Sequence, residues 1–426
     1  MPQIFWQNQN KEVFFIAIYV CDAPMGAGKT SASITYMNEH PDQKFLFVTP
    51  YLTEVERIKQ SCPDLNFITP SDDHSTKLDS LHNLLSSGRN IVSTHALFGM
   101  YNSYTEELLR NSDYTLIMDE VFAVIDTMSI SVADIDVLLQ SGLAEIAEDG
   151  EHIQWLDDEY NGTKFQDVMI KAKANNLIRY KNKLLYWTFP VDTFLLFNDV
   201  YILTYLFDAQ IQRYYYDMCD VKYEYIGTSF DNGKYVFSKI FYVPEFLTHL
   251  SDYVHILDDE KLNRIGDSKC ALSATWYKEA CKYKKKPLID KMRNNIYNVF
   301  RHRFQSPAKE NMWTCFKGQQ KWLERGNYRS GFVSCNIRAT NDYADRRYLA
   351  YCINVFLNPD IAGYFRGHQV RIEEDTYALS EMVQWIWRSA IRTGQEIWVY
   401  IPSKRMRDLL IGWINSFQKE DGSNHE

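Results

Sequence analysis

The fold is decided by residues 16–34, which read IAIYVCDAPMGAGKTSASI. An apolar run predicts a buried strand, a glycine-containing stretch predicts a turn, and the residues that follow have the composition of a helix. Gly26 and Gly28 permit backbone angles that point successive N–H groups at one place. The dipole of the following helix favours an anion at the same place. The segment therefore predicts a phosphate-binding loop.

The loop has the pattern A-x-x-x-x-G-K-T, with Ala23 where the usual pattern has glycine. We expect Lys29 to hold the β- and γ-phosphates of a nucleotide, and the Thr30 hydroxyl to bind Mg²⁺. The expected nucleotide-binding residues are Ala23, Pro24, Met25, Gly26, Ala27, Gly28, Lys29 and Thr30.

A second motif, TLIMDEVF at residues 115–122, is an apolar strand that ends in Asp119 and Glu120. The carboxyl ends of strands in an open α/β sheet border the crevice where ligands bind. We expect Asp119 to hold Mg²⁺, largely through water, because that ion gives up its water reluctantly. Glu120 could then orient and deprotonate an attacking water. The pair predicts hydrolysis of the bound nucleotide.

Strands and helices alternate along the first 120 residues. Such alternation predicts a parallel sheet with helices on both faces, and hence an α/β fold. The predicted strands are Phe14–Val20, Lys44–Val48, Asn90–Ser93 and Thr115–Met118, and the predicted helices are Ser31–Asn38, Thr53–Gln60, Leu78–Ser86 and Thr105–Arg110.

The chain is long enough for more than one domain. We predict a first lobe over residues 1–207, interrupted at about 123–197 by a mostly helical acidic insertion, with the strand Val200–Leu206 resuming its sheet. A second α/β lobe is predicted over 208–418, and the polar residues 419–426 are predicted to be a disordered tail. The strand candidates of the second lobe are Tyr235–Tyr242, Cys270–Ser273, Gly331–Cys335 and Glu396–Ile401.

The net charge of −9 is unevenly distributed along the chain. Residues 1–205 carry −14, residues 206–426 carry +5, and residues 261–303 alone carry +9. Phosphate binding depends on local cation density, so the acidic total does not exclude nucleic acid as a partner. The basic run equally fits a solvated surface.

Residues 111–163 contain 13 acidic residues and neither lysine nor arginine. The acidic insertion at about 123–197, which includes most of this stretch, fits a solvated face or a surface for a protein partner. The eight cysteines include no C-x-x-C pair, which argues against zinc and disulfide frameworks and favours a cytoplasmic setting. Neither a membrane span nor a secretory signal is predicted, because the apolar runs are too short and the start has no basic n-region.

A third motif, TYALSEMVQWIWRSAIRTG at residues 376–394, has the length and composition of a helix. Gln384, Arg388 and Arg392 stand four residues apart, so a helix would place them on one face. Arginine suits such a face because its planar, charged fork binds phosphate oxygens in pairs. We therefore expect this helix to present cations to the nucleotide.

These three motifs, in this order, resemble those of superfamily 2 helicases, which have two RecA-like lobes. The pairing of APMGAGKT with DEV looks closest to herpesvirus origin-binding proteins and bacteriophage replication helicases. The resemblance covers most of the chain, except the insertion and the tail. It implies ATP and Mg²⁺ as cofactors and an arginine finger. The family usually has its second arginine seven residues after the glutamine, whereas Arg392 is eight after Gln384, so Arg388 and Arg392 both stay candidates.

The resemblance also implies nucleic-acid contacts. Segments VTPYLTEVERI and VSTHALF look like motifs Ia and Ib, and VSCNIRATNDYADRR occupies the place of motif V. Motif III matches either Thr204, at the end of a first-lobe strand, or Ser273–Thr275. The implied nucleic-acid contacts are Thr49, Pro50, Thr94, His95, Asn336, Thr340 and Asn341.

The resulting hypothesis is an ATP-dependent motor on single-stranded or forked nucleic acid, with DNA favoured. One alternative is a nucleic-acid-binding ATPase that acts as a switch, loader or origin-binding factor without unwinding. A small-molecule kinase fits less well, because an Asp-Glu pair ending a strand suits water activation. A scaffold whose insertion binds a protein is the third alternative.

Overall fold

The computed structural model describes residues 17–73, 76–128, 130–181, 184–282, 286–335 and 342–420. Its strands are β1 (Ala17–Asp22), β2 (Lys44–Thr49), β3 (Ile91–Thr94), β4 (Tyr114–Asp119), β5 (Ile125–Thr127), β6 (Ala144–Ile146), β7 (Ile153–Trp155), β8 (Leu177–Tyr180), β9 (Leu184–Thr188), β10 (Asp199–Thr204), β11 (Glu224–Asp231), β12 (Lys234–Ser238), β13 (Val254–Ile256), β14 (Asn311–Thr314), β15 (Tyr348–Tyr351) and β16 (Ile397–Tyr400).

Its helices are α1 (Lys29–Glu39), α2 (Leu52–Ser61), α3 (Lys77–Ser86), α4 (His95–Phe98), α5 (Ser103–Arg110), α6 (Val132–Gln140), α7 (Gln166–Lys173), α8 (Ile211–Met218), α9 (Glu245–Thr248), α10 (Leu250–Tyr253), α11 (Glu260–Asn263), α12 (Ala274–Ala280), α13 (Lys286–Asn298), α14 (Gln320–Leu323), α15 (Pro359–Gly367), α16 (Glu374–Ile386) and α17 (Lys404–Glu420). Short 3₁₀ turns include Phe207–Ala209, Gly326–Gly331 and Ala390–Thr393, and a π turn covers Val299–Arg303.

The first sheet has the strand order β12-β11-β1-β10-β4-β2-β3. All of its strands are parallel except β12, which forms an antiparallel hairpin with β11. Every residue of β4 is buried, as are five of the six in β2, because helices cover both faces of the sheet. This explains why the central strands are continuous apolar runs rather than alternating ones.

A second sheet has the order β13-β16-β15-β14, with all neighbours parallel. Its core contains large, fully buried rings, including Trp313, Trp385, Tyr351 and Tyr400. The predicted fold class is thus confirmed: the chain is α/β, with two lobes built on parallel sheets flanked by helices.

The insertion differs from its predicted mostly helical character, because it contains five short strands as well as α6 and α7. Strands β5, β9 and β8 form an antiparallel sheet, and β6 pairs with β7. Alternating burial in Ile153–Trp155 and the buried aliphatic and aromatic residues of Leu177–Tyr180 suit strands. These segments are too short for their period to stand out in a polar sequence.

The division between the sheets also differs from the prediction. The segment Tyr235–Tyr242, expected as a second-lobe strand, contributes β12 to the first sheet. The chain therefore leaves the first sheet at Ser238 and enters the second at Val254, well after the expected boundary at 207/208. A hairpin has no helix between its strands, so sequence alternation could not assign it to either lobe.

Two further predicted strands are wrong. Cys270–Ser273 is a turn in which Leu272 has φ 63°, and the Ser273 hydroxyl caps the N-terminus of α12. Gly331–Cys335 makes only an isolated bridge, between Phe332 and Trp313. Both segments are partly apolar because they pack on the core, and burial alone does not distinguish a strand from a packed turn.

Helix α15 follows a strand of the second sheet but packs into the core of the first lobe. Ile361, Tyr364 and Phe365 are buried there, together with residues of the insertion. The Tyr186 hydroxyl of β9 donates a hydrogen bond to the Asp360 carbonyl, 2.9 Å away. Residues 357–370 therefore tie the second lobe to the first lobe and to the insertion.

Among the described residues, no helix is both long enough and apolar enough to cross a bilayer.

Candidate nucleotide cleft between the lobes

The predicted phosphate loop joins β1 to α1. Gly26 has φ 84° and Gly28 has φ 78°, in the left-handed region where glycine carries no steric penalty. The Lys29 ammonium donates to the carbonyl oxygens of Ala23, at 2.6 Å, and Pro24, at 3.2 Å. The lysine is thus folded back over its own loop, where a phosphate oxygen could replace these carbonyls as its acceptor.

The hairpin β11–β12 holds this loop from the side. The Thr228 hydroxyl donates to the Ala27 carbonyl, 2.6 Å away, in a fully buried contact. The Tyr235 ring packs so closely on Gly28 that a Cβ there would lie 2.2 Å from Cδ1. Glycine is therefore required at position 28 for two reasons: the backbone has a positive φ there, and the Tyr235 ring leaves no room for a side chain. Sequence reasoning missed Thr228 and Tyr235, which lie about 200 residues after the loop and belong to no motif.

Asp119 lies at the carboxyl end of β4, beside the loop. The residue is 8% exposed, and its carboxylate accepts hydrogen bonds from Thr30 Oγ1, at 3.5 Å, and Thr49 Oγ1, at 3.2 Å. Burial, and then the nearby carboxylates of Glu120 and Glu54, raise the pKa of Asp119 to about 7. A carboxylate and a hydroxyl this close together are the hard oxygen donors that Mg²⁺ prefers, so the predicted pair fits that ion.

Glu120 follows directly with φ 65°, a conformation that is uncommon outside glycine. Its backbone N–H donates to the Leu203 carbonyl of β10, 2.9 Å away, which holds the residue in this conformation. Such local strain concentrates at functional sites, where the surrounding structure pays for it. Here it turns the Glu120 side chain into the same cleft as Asp119.

The second lobe closes this cleft. The residues that line it from both lobes are Met25, Gly26, Gly28, Lys29, Thr30, Ser31, Tyr51, Thr53, Glu54, Arg57, Asp119, Glu120, Tyr235, Asp342, Gln384, Trp387, Arg388 and Arg392. The structure therefore brings the phosphate loop, both carboxylates and the glutamine–arginine segment together. The lining residues that the sequence did not predict are Ser31, Tyr51, Thr53, Glu54, Arg57, Tyr235, Asp342 and Trp387.

The glutamine–arginine segment is not one continuous helix, which corrects the predicted arginine helix. Helix α16 ends at Ile386, and Ser389 is extended, with ψ −171°. The buried Ser389 hydroxyl donates to the Ile386 carbonyl, 2.6 Å away, and so satisfies the helix end. Arg392 then lies on a 3₁₀ turn. Both arginines reach the cleft because of this break, not because they share a helix face.

A hydrogen-bond chain joins α16 to the segment after β10. Gln210 donates to the Ser380 hydroxyl, 2.7 Å away, and Gln384 donates to the same oxygen, 3.3 Å away. Thr204 ends β10, next to β4, whereas Ser273 caps a second-lobe helix. The choice between Thr204 and Ser273–Thr275 as motif III stays a prediction.

Thr49, proposed as a nucleic-acid contact, is fully buried and bonded to Asp119. Its hydroxyl is therefore inaccessible to nucleic acid and positions the Asp119 carboxylate instead, which corrects the expectation. Pro50, next in the chain, is partly exposed.

The remaining proposed nucleic-acid contacts have different surroundings. Thr94 caps α4 with its side chain, and His95 Nε2 lies 2.9 Å from the Asp119 carbonyl. Both are partly exposed, and their contact with nucleic acid stays a prediction. Asn336, Thr340 and Asn341 lie outside the described residues.

Two family models match the chain. The YonV C-terminal Rossmann-like domain matches residues 248–414, and the YonV middle domain matches residues 125–187, within the insertion. The SPbeta prophage-derived uncharacterized protein YonV of Bacillus subtilis (strain 168) is 43% identical over 415 residues, covering 94% of this chain and 99% of that protein.

Solved structures also align with most of the chain. A structure named XPD_Helicase has 11% identity and a TM-score of 0.40, and one named Structure of S. tokodaii Xpd4 has 11% identity and a TM-score of 0.46. Each alignment covers 93% of this chain and 94% of the other. The predicted closeness to herpesvirus origin-binding proteins and phage replication helicases stays a prediction.

The raised pKa of Asp119 gives a prediction for stability. An unfolded aspartate has a pKa of about 3.9, so the folded protein binds the extra proton between about pH 4 and about pH 7. Its free energy of unfolding therefore falls as the pH rises through this window. We predict that Asp119→Asn, which cannot ionise, melts a few degrees above the wild type at about pH 8 without Mg²⁺.

Calorimetry in a chelating buffer measures this difference, which should shrink as the pH falls below about 7. Asp113→Asn, which changes an exposed carboxylate just before β4, is the matched control and should leave the melting temperature unchanged. Equal melting temperatures for the wild type and Asp119→Asn at about pH 8 would contradict the claim that burying the ionised Asp119 carboxylate lowers the free energy of unfolding.

Proposed function

The chain belongs to the YonV family, and we propose that it is a nucleic-acid-stimulated ATP hydrolase of the superfamily 2 helicase type. One observation carries the proposal: a single cleft is lined by the phosphate loop, Asp119 and Glu120 from the first lobe and by Gln384, Arg388 and Arg392 from the second. A nucleotide bound there contacts both lobes. Its hydrolysis therefore changes the contacts that hold the lobes together.

Each residue has a distinct part in the proposed hydrolysis. Backbone N–H groups of the loop and the Lys29 ammonium hold the phosphates, and Thr30 and Asp119 would hold Mg²⁺, which neutralises phosphate charge when bound. Glu120 accepts a proton from the attacking water. Arg388 or Arg392 stabilises the negative charge that develops on the γ-phosphate.

The same cleft can couple ATP hydrolysis to movement of the two lobes relative to each other. Arginines that contact the γ-phosphate favour a closed arrangement, and loss of that phosphate removes the preference. The chain Gln210–Ser380–Gln384 joins the end of β10 to α16, so a shift at the hydrolytic carboxylates can reach the second lobe. We propose DNA as the substrate and phage-type replication or recombination as the setting, which suits a relative derived from a prophage.

A second candidate function is a nucleic-acid-binding ATPase that acts as a switch or loader without unwinding. The packing of α15 favours it, because Ile361 and Phe365 of the second lobe are buried in the first-lobe core. Each large buried side chain contributes roughly 2 kcal/mol, so separating the lobes completely would be costly. A switch needs only a small change at the cleft.

One experiment distinguishes the two functions. ATP hydrolysis is measured with and without single-stranded DNA or RNA, and strand separation is followed in parallel with a fluorescent forked duplex. Stimulation together with strand separation supports the motor. Stimulation without strand separation supports the switch. A hydrolysis rate that nucleic acid does not change contradicts both the motor and the switch.

We predict that Lys29→Ala abolishes ATP turnover, because it removes the ammonium that grips the phosphates. Steady-state phosphate release measures the effect, with a loss of at least about a hundredfold expected. Lys164→Ala, an exposed lysine of the insertion, is the control and should retain full turnover. Turnover by Lys29→Ala at the wild-type rate would remove the proposed phosphate site.

We predict that Glu120→Gln still binds ATP but hydrolyses it at least about a hundredfold more slowly, because the amide cannot accept the proton from water. Binding is measured by titration with a fluorescent ATP analogue, and hydrolysis in a single turnover. Glu56→Gln, an exposed acid on α2, is the matched control. A normal single-turnover rate for Glu120→Gln would show that another group activates the water.

A further inference from the structure

The second lobe carries a basic surface away from the nucleotide cleft. Residues 278–329 contain 14 lysines and arginines against four acidic residues. We define the outer basic face as the exposed side of α13, its π turn and α14. Its described members are Lys291, Asn294, Tyr297, Asn298, Arg301, Lys321, Trp322 and Arg325.

The described residues of this face are separate from the nucleotide cleft, because none of them is among the residues that line it. Helix α14 lies beside α13: Arg293 of α13 donates to the Trp322 carbonyl, and Arg325, just after α14, donates to the Asn294 side chain. The two helices therefore present one continuous surface.

Two cations and the two asparagines between them form a regular stripe along this face. Lys291, Asn294, Asn298 and Arg301 are exposed and recur every three or four residues, which places them along one side of the helix. Other cations nearby form ion pairs: Arg293 with Asp290, and Arg303 with Asp259. Lys291, Arg301, Lys321 and Arg325 have no ion-pair partner among the described residues.

Two aromatic rings, Tyr297 and Trp322, lie beside cations of this surface. The Arg325 guanidinium lies 4.6 Å from the centre of the Tyr297 ring and also donates to the Asn294 side chain, 2.5 Å away. Trp322 on α14 is 41% exposed, beside Arg293, which donates to its carbonyl. An exposed and a half-buried ring among cations suit a single strand, because cations bind its phosphates and rings stack on its bases.

We propose that the outer basic face binds single-stranded nucleic acid at a second site, outside the nucleotide cleft. This extends the proposed function: a strand held there stays attached while the cleft opens and closes. Binding at this face does not need ATP turnover, so the two proposals can fail separately. Lys29→Ala should lose turnover and keep this binding.

The test reverses three charges together, Lys291→Glu, Arg301→Glu and Lys321→Glu. The full chain is titrated with a labelled oligothymidylate over a range of salt concentrations, and binding is followed by fluorescence anisotropy. We expect affinity to fall at least tenfold at low salt, and the slope of log affinity against log salt to decrease by about 2, for three lost phosphate contacts. Basal ATP turnover should be unchanged.

The matched control reverses three exposed lysines elsewhere, Lys77→Glu, Lys164→Glu and Lys222→Glu, and should bind the oligonucleotide like the wild type. Trp322→Ala should weaken single-strand binding by roughly tenfold and duplex binding much less, because only unstacked bases can use the ring. If the triple variant misfolds, as shown by a lower melting temperature, each single reversal should lower the slope by about 0.7.

Equal affinity and slope in the outer-face and control triples would overturn the proposal. It would also be overturned if the outer-face triple bound DNA normally but lost self-association, measured by sedimentation. That outcome would instead assign the face to the acidic insertion of a second copy.

Discussion

The buried carboxylate of Asp119 is the group around which the cleft is organised. It lies at the end of β4, between Thr30 of the phosphate loop and Thr49 of β2, with a hydrogen bond from each. A buried charge is costly unless a cation or strong hydrogen bonds compensate it. The raised pKa of Asp119 records that cost. In the proposed function, Mg²⁺ held by Asp119 and Thr30 would offset that cost.

The other parts of the site are arranged around this carboxylate. Thr228 and Tyr235 hold the phosphate loop against the hairpin β11–β12, and the Leu203 carbonyl holds Glu120 in a left-handed conformation. From the second lobe, Ser389 ends α16 early, which directs Arg388 and Arg392 into the cleft. The lobes also contact each other at α15 and through the hydrogen bond between Gln210 and Ser380. A structural change at the cleft can therefore pass from one lobe to the other through either contact.

Local patterns in the sequence predicted the parts of the site that depend on short spacing. The phosphate loop, the first four strands, including the one that ends in Asp119, and the helices α1, α2, α3 and α5 follow from a few consecutive residues each. Parallel strands end at a common edge, so the sequence also predicted that the loop and the carboxylates lie close together. The arginines were expected near the nucleotide, although the helix that was to present them ends at Ile386.

The features that the sequence did not predict depend on long-range packing. Thr228 and Tyr235 reach the loop through strand pairing, about 200 residues along the chain. Thr49 looked like a surface contact because a strand end can be exposed or buried, and only the neighbouring helices decide which. The small strands of the insertion were too short to show a period.

The most direct test of the account is a crystal structure of the Glu120→Gln variant with Mg²⁺ and ATP. We expect the γ-phosphate to lie within about 3.2 Å of the Lys29 ammonium and of a guanidinium nitrogen of Arg388 or Arg392. ATP bound to the phosphate loop, with both guanidinium groups beyond hydrogen-bond distance of its phosphates, would contradict the claim that the nucleotide joins the two lobes.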